Sequence, residues 1–215
     1  MELPTYLNEL FFPSDIQQGI FLSILYSLLA LTVLWKVYNH KYAFTRKEKI
    51  LTFTLSFLFM FSSTLVAQES IPLMIWGILA YQFSVDRKYM ELTDGGNLTI
   101  ALVGSVFVLL KWMEVGFLQS GLLTGILMFL FFLLLALMGP MGGGDIKMMG
   151  AIGLFFTLWD IVPILLYGFL IGAAQGVCLM LTQKKGKDAE FAFGPALILG
   201  VWLFTWISKG GMFYV

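Results

Sequence analysis

The chain has 215 residues, 59% of them hydrophobic and 12% charged, with a mean hydropathy of +0.88 and a formal net charge of zero. Soluble domains carry about 25% charged residues, so the composition excludes a water-soluble globular protein and points to a polytopic membrane protein. The balanced charge gives no sign of nucleic-acid binding, and a lone Cys178 and a lone His40 exclude an internal disulfide and a Cys/His metal cluster, so no metal and no other cofactor is expected.

In chain order, Met1 to Asp15 is acidic at Glu2, Glu9 and Asp15 and has no basic run. The apolar stretch 16–38 is therefore expected as a permanent helix rather than a cleaved signal peptide. Further apolar stretches follow at 50–66, 70–85, 97–112, 119–139, 145–158, 161–182 and 192–208. A span needs about 20 apolar residues; the stretch 145–158 is the weakest, with Trp159-Asp160 as a turn into the next. The polar gaps are too short for a soluble domain. The expected fold is all-α: one membrane domain over 1–215, a transmembrane helical bundle of about eight spans, with six or seven as the alternatives.

Charge sets the expected orientation. With the N-terminus outside, the loop from Lys36 to Lys49, the Arg87-Lys88 pair, Lys147 and the Lys184-Lys185-Lys187 cluster all face the cytoplasm. Only Lys111 and Lys209 face out, a strong positive-inside bias. Asp86 then closes the third stretch and Asp145 opens the sixth, both at the cytoplasmic boundary. Carboxylates are costly beside hydrocarbon, and two on one side suggest a pair that shares a proton and activates water.

Asp145 lies in Met138-Gly139-Pro140-Met141-Gly142-Gly143-Gly144-Asp145-Ile146-Lys147, followed by Gly150-Ala151-Ile152-Gly153. Pro140 and the glycines are expected to break the preceding helix and to adopt backbone angles other residues avoid. That puts Asp145 at or near a helix N-terminus, where it is either a plain N-cap after a glycine hinge or a functional carboxylate. Asp86 begins Asp86-Arg87-Lys88-Tyr89-Met90-Glu91-Leu92-Thr93-Asp94-Gly95-Gly96-Asn97-Leu98-Thr99, which taken alone reads as an ordinary charged loop.

Together these segments resemble the type IV prepilin peptidase family, membrane aspartyl proteases of the GxGD type. Asp86 and Asp94 keep the family's eight-residue spacing, although Thr93 replaces the usual Pro and Gly95-Gly96 lengthens the turn. Gly142-x-Gly144-Asp145-x-Lys147 with Gly150-Ala151-Ile152-Gly153 is similar to its GxGDxK signature, and Phe193-Gly194-Pro195-Ala196-Leu197 to its Pro-Phe-Gly-Pro-x-Leu segment. These ordered matches cover about 75–205.

The resemblance places the family's catalytic aspartates on Asp86 and Asp145, with Gly142, Gly144, Lys147 and Asp94 as substrate-binding or loop-supporting residues. It implies cleavage of a prepilin or pseudopilin, a short basic leader followed by one apolar helix that diffuses in the lipid bilayer of the bacterial cytoplasmic membrane. From the helix dipoles, Asp145 is expected to be the ionised member and Asp86 to hold the proton. Asp94 is expected in a turn, and Lys147 on a substrate acid or a lipid phosphate. The loop Asn39 to Lys49 lacks the CxxC-bearing insertion of members that also methylate the new N-terminus, which favours a protease-only member. A transporter would place its acids near the midplane and show inverted repeats. A presenilin-like protease would place its first Asp in a Tyr-Asp pair, where this chain has Val85-Asp86. A non-catalytic assembly factor would tolerate loss of either aspartate.

Overall fold

The structure, a computed structural model, describes residues 15–38, 40–65, 71–115, 121–139, 141–183 and 191–209. Among these residues there are eight α-helices and no strand. They are α1 (Ile16–Tyr38), α2 (Arg46–Leu65), α3 (Leu73–Tyr89), α4 (Asp94–Val115), α5 (Leu122–Met138), α6 (Gly143–Gly153), α7 (Ile161–Gln183) and α8 (Gly194–Lys209), with a 3₁₀ turn at Leu158–Asp160. The all-α expectation holds. Two segments, Ile16–Tyr38 and Leu158–Leu181, are long and apolar enough to cross a membrane, with mean hydropathies of 2.0 and 2.1. Pro140 and the cluster Lys184, Lys185 and Lys187 lie outside the described residues.

Each helix covers an expected apolar stretch, and the differences fall at polar ends. α2 starts at Arg46 because Thr45 and Glu48 form a capping box: the Thr45 N–H donates to Glu48 Oε2 at 2.7 Å, and the Glu48 N–H to Thr45 Oγ1 at 3.3 Å. α4 starts at Asp94, so Gly95 and Gly96 are helical rather than part of a turn. Thr93 explains this, since its Oγ1 accepts the otherwise orphaned Gly96 N–H at 3.3 Å.

The chain divides into two compact units, one made of residues up to Ser84 plus Thr205 onward, the other of Val85–Phe204. In the first, α1 and α2 pack with the early turns of α3 around Leu31, Phe59, Met60, Trp76 and Leu79, all buried. Gly77 permits close approach, because a Cβ there would lie 2.8 Å from Met60 Cε. Buried hydroxyls pair across the helices: Ser27 Oγ with Ser56 Oγ at 2.9 Å, and Thr52 Oγ1 donating to Ser84 Oγ at 2.8 Å. Small and hydroxyl residues at helix contacts suit packing in an apolar solvent.

In the second unit, α6 packs against α4 and α5, with Met148, Met149 and Ile152 buried. Its glycines permit this. A Cβ on Gly153 would lie 2.8 Å from Gly125 Cα of α5, and one on Gly150 would lie 2.9 Å from Phe129 Cβ. Gly121, before α5, has φ +83°, and a Cβ there would overlap the Leu154 carbonyl. α7 meets α8 backbone to backbone at Gly168 and Gly200. Outward faces remain apolar, with Phe21 and Leu29 on α1 and Leu166, Leu170 and Leu181 on α7 exposed.

Candidate active site

Three helix ends in the second unit build one buried polar spot. Asp86 lies in the last turn of α3, Asp145 is the third residue of α6, and Gly194 opens α8. Both carboxylates are buried, at 5% and 8% exposure. The Gly194 N–H donates to Asp86 Oδ2 at 2.9 Å, one of the N–H groups that a helix start leaves without an internal partner. A Cβ added to Gly194 would sit 2.7 Å from Asp86 Oδ2 and 3.3 Å from Asp145 Oδ1. Laid end to end, those distances bound the separation of the two oxygens at about 6 Å, within range of strong carboxylate coupling. Asp145 Oδ1 is buried and has no hydrogen-bond partner in the structure.

A sequence profile of the type IV leader peptidase family matches residues 73–177, which hold both aspartates. The segment 73–177 belongs to that family.

Three proteins named "Prepilin leader peptidase/N-methyltransferase" are similar to it. The one from Aeromonas hydrophila is 31% identical over 137 residues, 61% of this chain and 47% of the relative. The one from Aeromonas salmonicida is 31% identical, over 61% of this chain and 46% of the relative. The one from Bacillus subtilis is 34% identical, over 38% of this chain and 34% of the relative. The chain thus matches less than half the length of these curated relatives. No solved structure matches it significantly.

Leader peptidase membership gives the electrostatics of the spot its interest. Neither aspartate lies in the two segments that are long and apolar enough to cross a membrane, and each stands near a helix end, Asp86 in the last turn of α3 and Asp145 in the first turn of α6. Burial pushes the Asp86 carboxyl up to about 6, and the Gly194 N–H pulls against that rise. Burial, and after it the neighbouring Asp86 charge, pushes Asp145 up to about 7. Two adjacent carboxylates do not both ionise easily, and the donated N–H decides where the charge sits. The Gly194 N–H favours the charge on Asp86 and leaves the proton to Asp145, opposite to the preference of each residue's own helix dipole. The start of a third helix, α8, thus supplies Asp86 with a donor that α3 does not.

A stability prediction follows. An unfolded Asp titrates near 3.9, so the folded state holds the extra proton on Asp145 between about pH 4 and 7. Stability is full below that window and is lost as pH rises through 7. Asp145→Asn removes this dependence. Its thermal stability relative to wild type should increase from pH 4 to pH 7 by an amount on the order of a few kcal/mol, then level off. A melting series in detergent checks this, and a constant difference across pH would contradict it.

The remaining expected site residues divide. Lys147 Nζ donates to Asp94 Oδ1 at 2.7 Å, so the lysine is paired within the chain, across α6 and α4. Both side chains are exposed, at 56% and 79%, and a surface pair contributes up to about 1 kcal/mol. Asp145 is not an N-cap; that place belongs to Gly142, which makes no side-chain cap. Gly142 has φ −68° and ψ 135°, ordinary extended backbone, so no unusual angle is required there. Gly144 is required for space, since a Cβ would meet Leu92 Cβ at 2.8 Å.

Gly194 was not among the expected site residues, although Phe193-Gly194-Pro195 already carried the resemblance. Pro195, one residue inside a helix start, is the sequence signal that could have marked the Gly194 N–H as available. Gln175 supports the same strand of chain: its Nε2 donates to the Ala192 carbonyl at 3.1 Å. Among the described residues, no group of three or more His, Cys, Asp and Glu side chains is placed to hold a metal ion.

Proposed function

We propose that this chain is an aspartic endopeptidase of the bacterial cytoplasmic membrane that removes the short basic leader of prepilin or pseudopilin substrates. The observation that carries the reading is the convergence of buried Asp86 and Asp145 beneath Gly194, on segments that match a leader peptidase profile. Asp86, ionised, takes a proton from a water molecule, which attacks the scissile carbonyl carbon. Asp145, protonated, donates its proton to the carbonyl oxygen as the tetrahedral intermediate forms. Collapse of that intermediate breaks the C–N bond: the proton taken up by Asp86 passes to the leaving nitrogen, and one hydroxyl of the intermediate returns its proton to Asp145 as the new carboxyl C=O forms. The closing state has the same single proton on the pair as the starting state.

Eight crossings with the N-terminus outside remain the proposed topology, because charge bias places the pair at the cytoplasmic face. α6 has 11 residues and is about 16 Å long, too short to cross alone. The sixth crossing is therefore broken: α6 from Met148 continues as the segment to Asp160, whose Phe155 and Phe156 are buried in protein. Non-helical backbone at membrane depth is tolerated where protein covers it. The pair then sits at the cytoplasmic boundary, where the leader of a membrane-anchored substrate joins its apolar helix. The connection from Tyr38 to Arg46 contains no cysteine, and the proposed activity is leader removal without N-methylation.

Co-expression with a prepilin in membranes tests the activity. The expected product is the prepilin shortened by its leader, with the new N-terminus unmethylated by mass spectrometry. A prepilin left whole by a correctly inserted chain would reject the peptidase reading.

A further inference from the structure

The connector that follows Asp86 also holds the chain beside Asp145. Asn97, in the first turn of α4, is 3% exposed. Its Nδ2 donates to the Gly144 carbonyl at 3.2 Å, the carbonyl of the peptide that carries the Asp145 N–H. Leu92 packs against the same glycine from the same connector, close enough to leave no room for a Cβ. The Gly144–Asp145 peptide is thus held by a polar contact and a steric one. The steric contact comes from the connector 90–93 and the polar one from the helix it leads into, and Met90 takes a left-handed turn at φ 54°.

We propose that Asn97 is a positioning residue: through the Gly144 carbonyl it fixes the peptide plane ahead of Asp145, and so aims that carboxyl at Asp86. The proposal rests on the peptidase reading for its effect on rate, but the contact itself does not. A buried side chain that donates to a backbone carbonyl in the first turn of a helix restrains rotation there. At a two-carboxylate site, a displacement of about 1 Å is enough to cost about 10²-fold in rate. Asp94 and Lys147, which pair with one another, line the same cavity of about 650 Å³ as Asn97, and Asp145 lies beyond Gly144.

Three variants of the full chain in detergent test the idea on a leader-bearing substrate. Asn97→Ala should lower kcat on the order of 10- to 100-fold and leave KM within about twofold. Asn97→Asp cannot donate while ionised, so at high pH it should match Asn97→Ala. When protonated, its O–H can donate to the Gly144 carbonyl, so its activity relative to Asn97→Ala should rise as pH falls. Asn97→Leu, which keeps the bulk without a donor, should behave as Asn97→Ala at every pH. A merely structural role would lower all three in step with thermal stability and give a flat Asp-to-Ala ratio, and that flat ratio would overturn the proposal. A readout independent of cleavage uses chain labelled with carbonyl-¹³C glycine. The difference infrared spectrum, Asn97→Ala minus wild type, should show one glycine carbonyl band moving to higher frequency as its hydrogen bond is lost. An unchanged glycine band would also overturn the proposal, whether or not the substrate is cleaved. If the band moves but wild type cleaves no prepilin, the contact stands and the peptidase reading falls.

Discussion

Asp86→Asn and Asp145→Asn are each expected to reduce leader cleavage by about 10³-fold or more, and the double variant should be little worse than either single one. The near-isosteric amide preserves packing but can neither accept a water proton as a base nor supply a carboxylic acid proton. Groups that act as one unit are non-additive, because removing either member disables the shared step. The burial of both side chains, at 5% and 8% exposure, makes folding the necessary control. Asp145→Asn should fold at least as well as wild type at neutral pH, since it removes a carboxyl whose ionisation opposes folding. Asp94→Asn provides the contrast. It breaks an exposed ion pair worth up to about 1 kcal/mol, and a loss of less than about fivefold is expected. Cleavage assays on inserted protein, normalised to its amount in the membrane, give all four values. Residual activity near wild type in either aspartate variant would end the two-carboxylate mechanism.

Gly194→Ala is expected to produce the next largest loss, on the order of 10²-fold in kcat, with thermal stability little changed. The added Cβ would stand 2.7 Å from Asp86 Oδ2, too close to be accommodated in place. What must move is the end of one short side chain, which costs the fold little. That same movement breaks the 2.9 Å bond from the Gly194 N–H and turns the base away from its partner. Loss of one preorganised donor to an active-site anion costs about 10²–10³ in other hydrolases. The alanine helix start would otherwise be unremarkable, so rate and melting temperature should separate. If both fall together, Gly194 serves packing and not the pair.

Much of this was legible before any coordinates. Hydropathy alone located all eight helices, because a long apolar run at a membrane leaves the backbone little choice but to satisfy itself. The helix starts at Arg46 and Asp94 were missed, because there a threonine cap extends a helix into polar sequence, and hydropathy is blind to caps. The two aspartates stood out because a carboxylate is costly at the edge of an apolar run, and the glycine-rich signature singled out Asp145. The location of the proton did not follow. Each residue's own helix dipole was the only local clue, whereas the deciding N–H comes from Gly194, more than a hundred residues beyond Asp86. The same non-locality hid the ion pair of Lys147 with Asp94 and the contact of Gly144 with Leu92. The glycine run was expected to need unusual backbone angles, but Gly142 takes ordinary ones and Gly144 is small for the sake of a neighbour. Sequence shows which residues are costly to keep, and only the fold shows what each one touches.

The most direct test of a pair that shares one proton is the pH dependence of kcat/KM for leader cleavage by the purified wild-type chain. In the proposed mechanism the working form has Asp86 ionised and Asp145 protonated, and burial raises Asp86 to about 6 and Asp145 to about 7. Below the first value Asp86 gains a proton and the base is lost; above the second Asp145 loses its proton and the acid is lost. The predicted profile is a narrow bell with its maximum between about pH 6 and 7, falling on both sides. A rate that climbs to a plateau and holds beyond pH 9 would contradict the shared proton, because at that pH neither carboxyl could supply one.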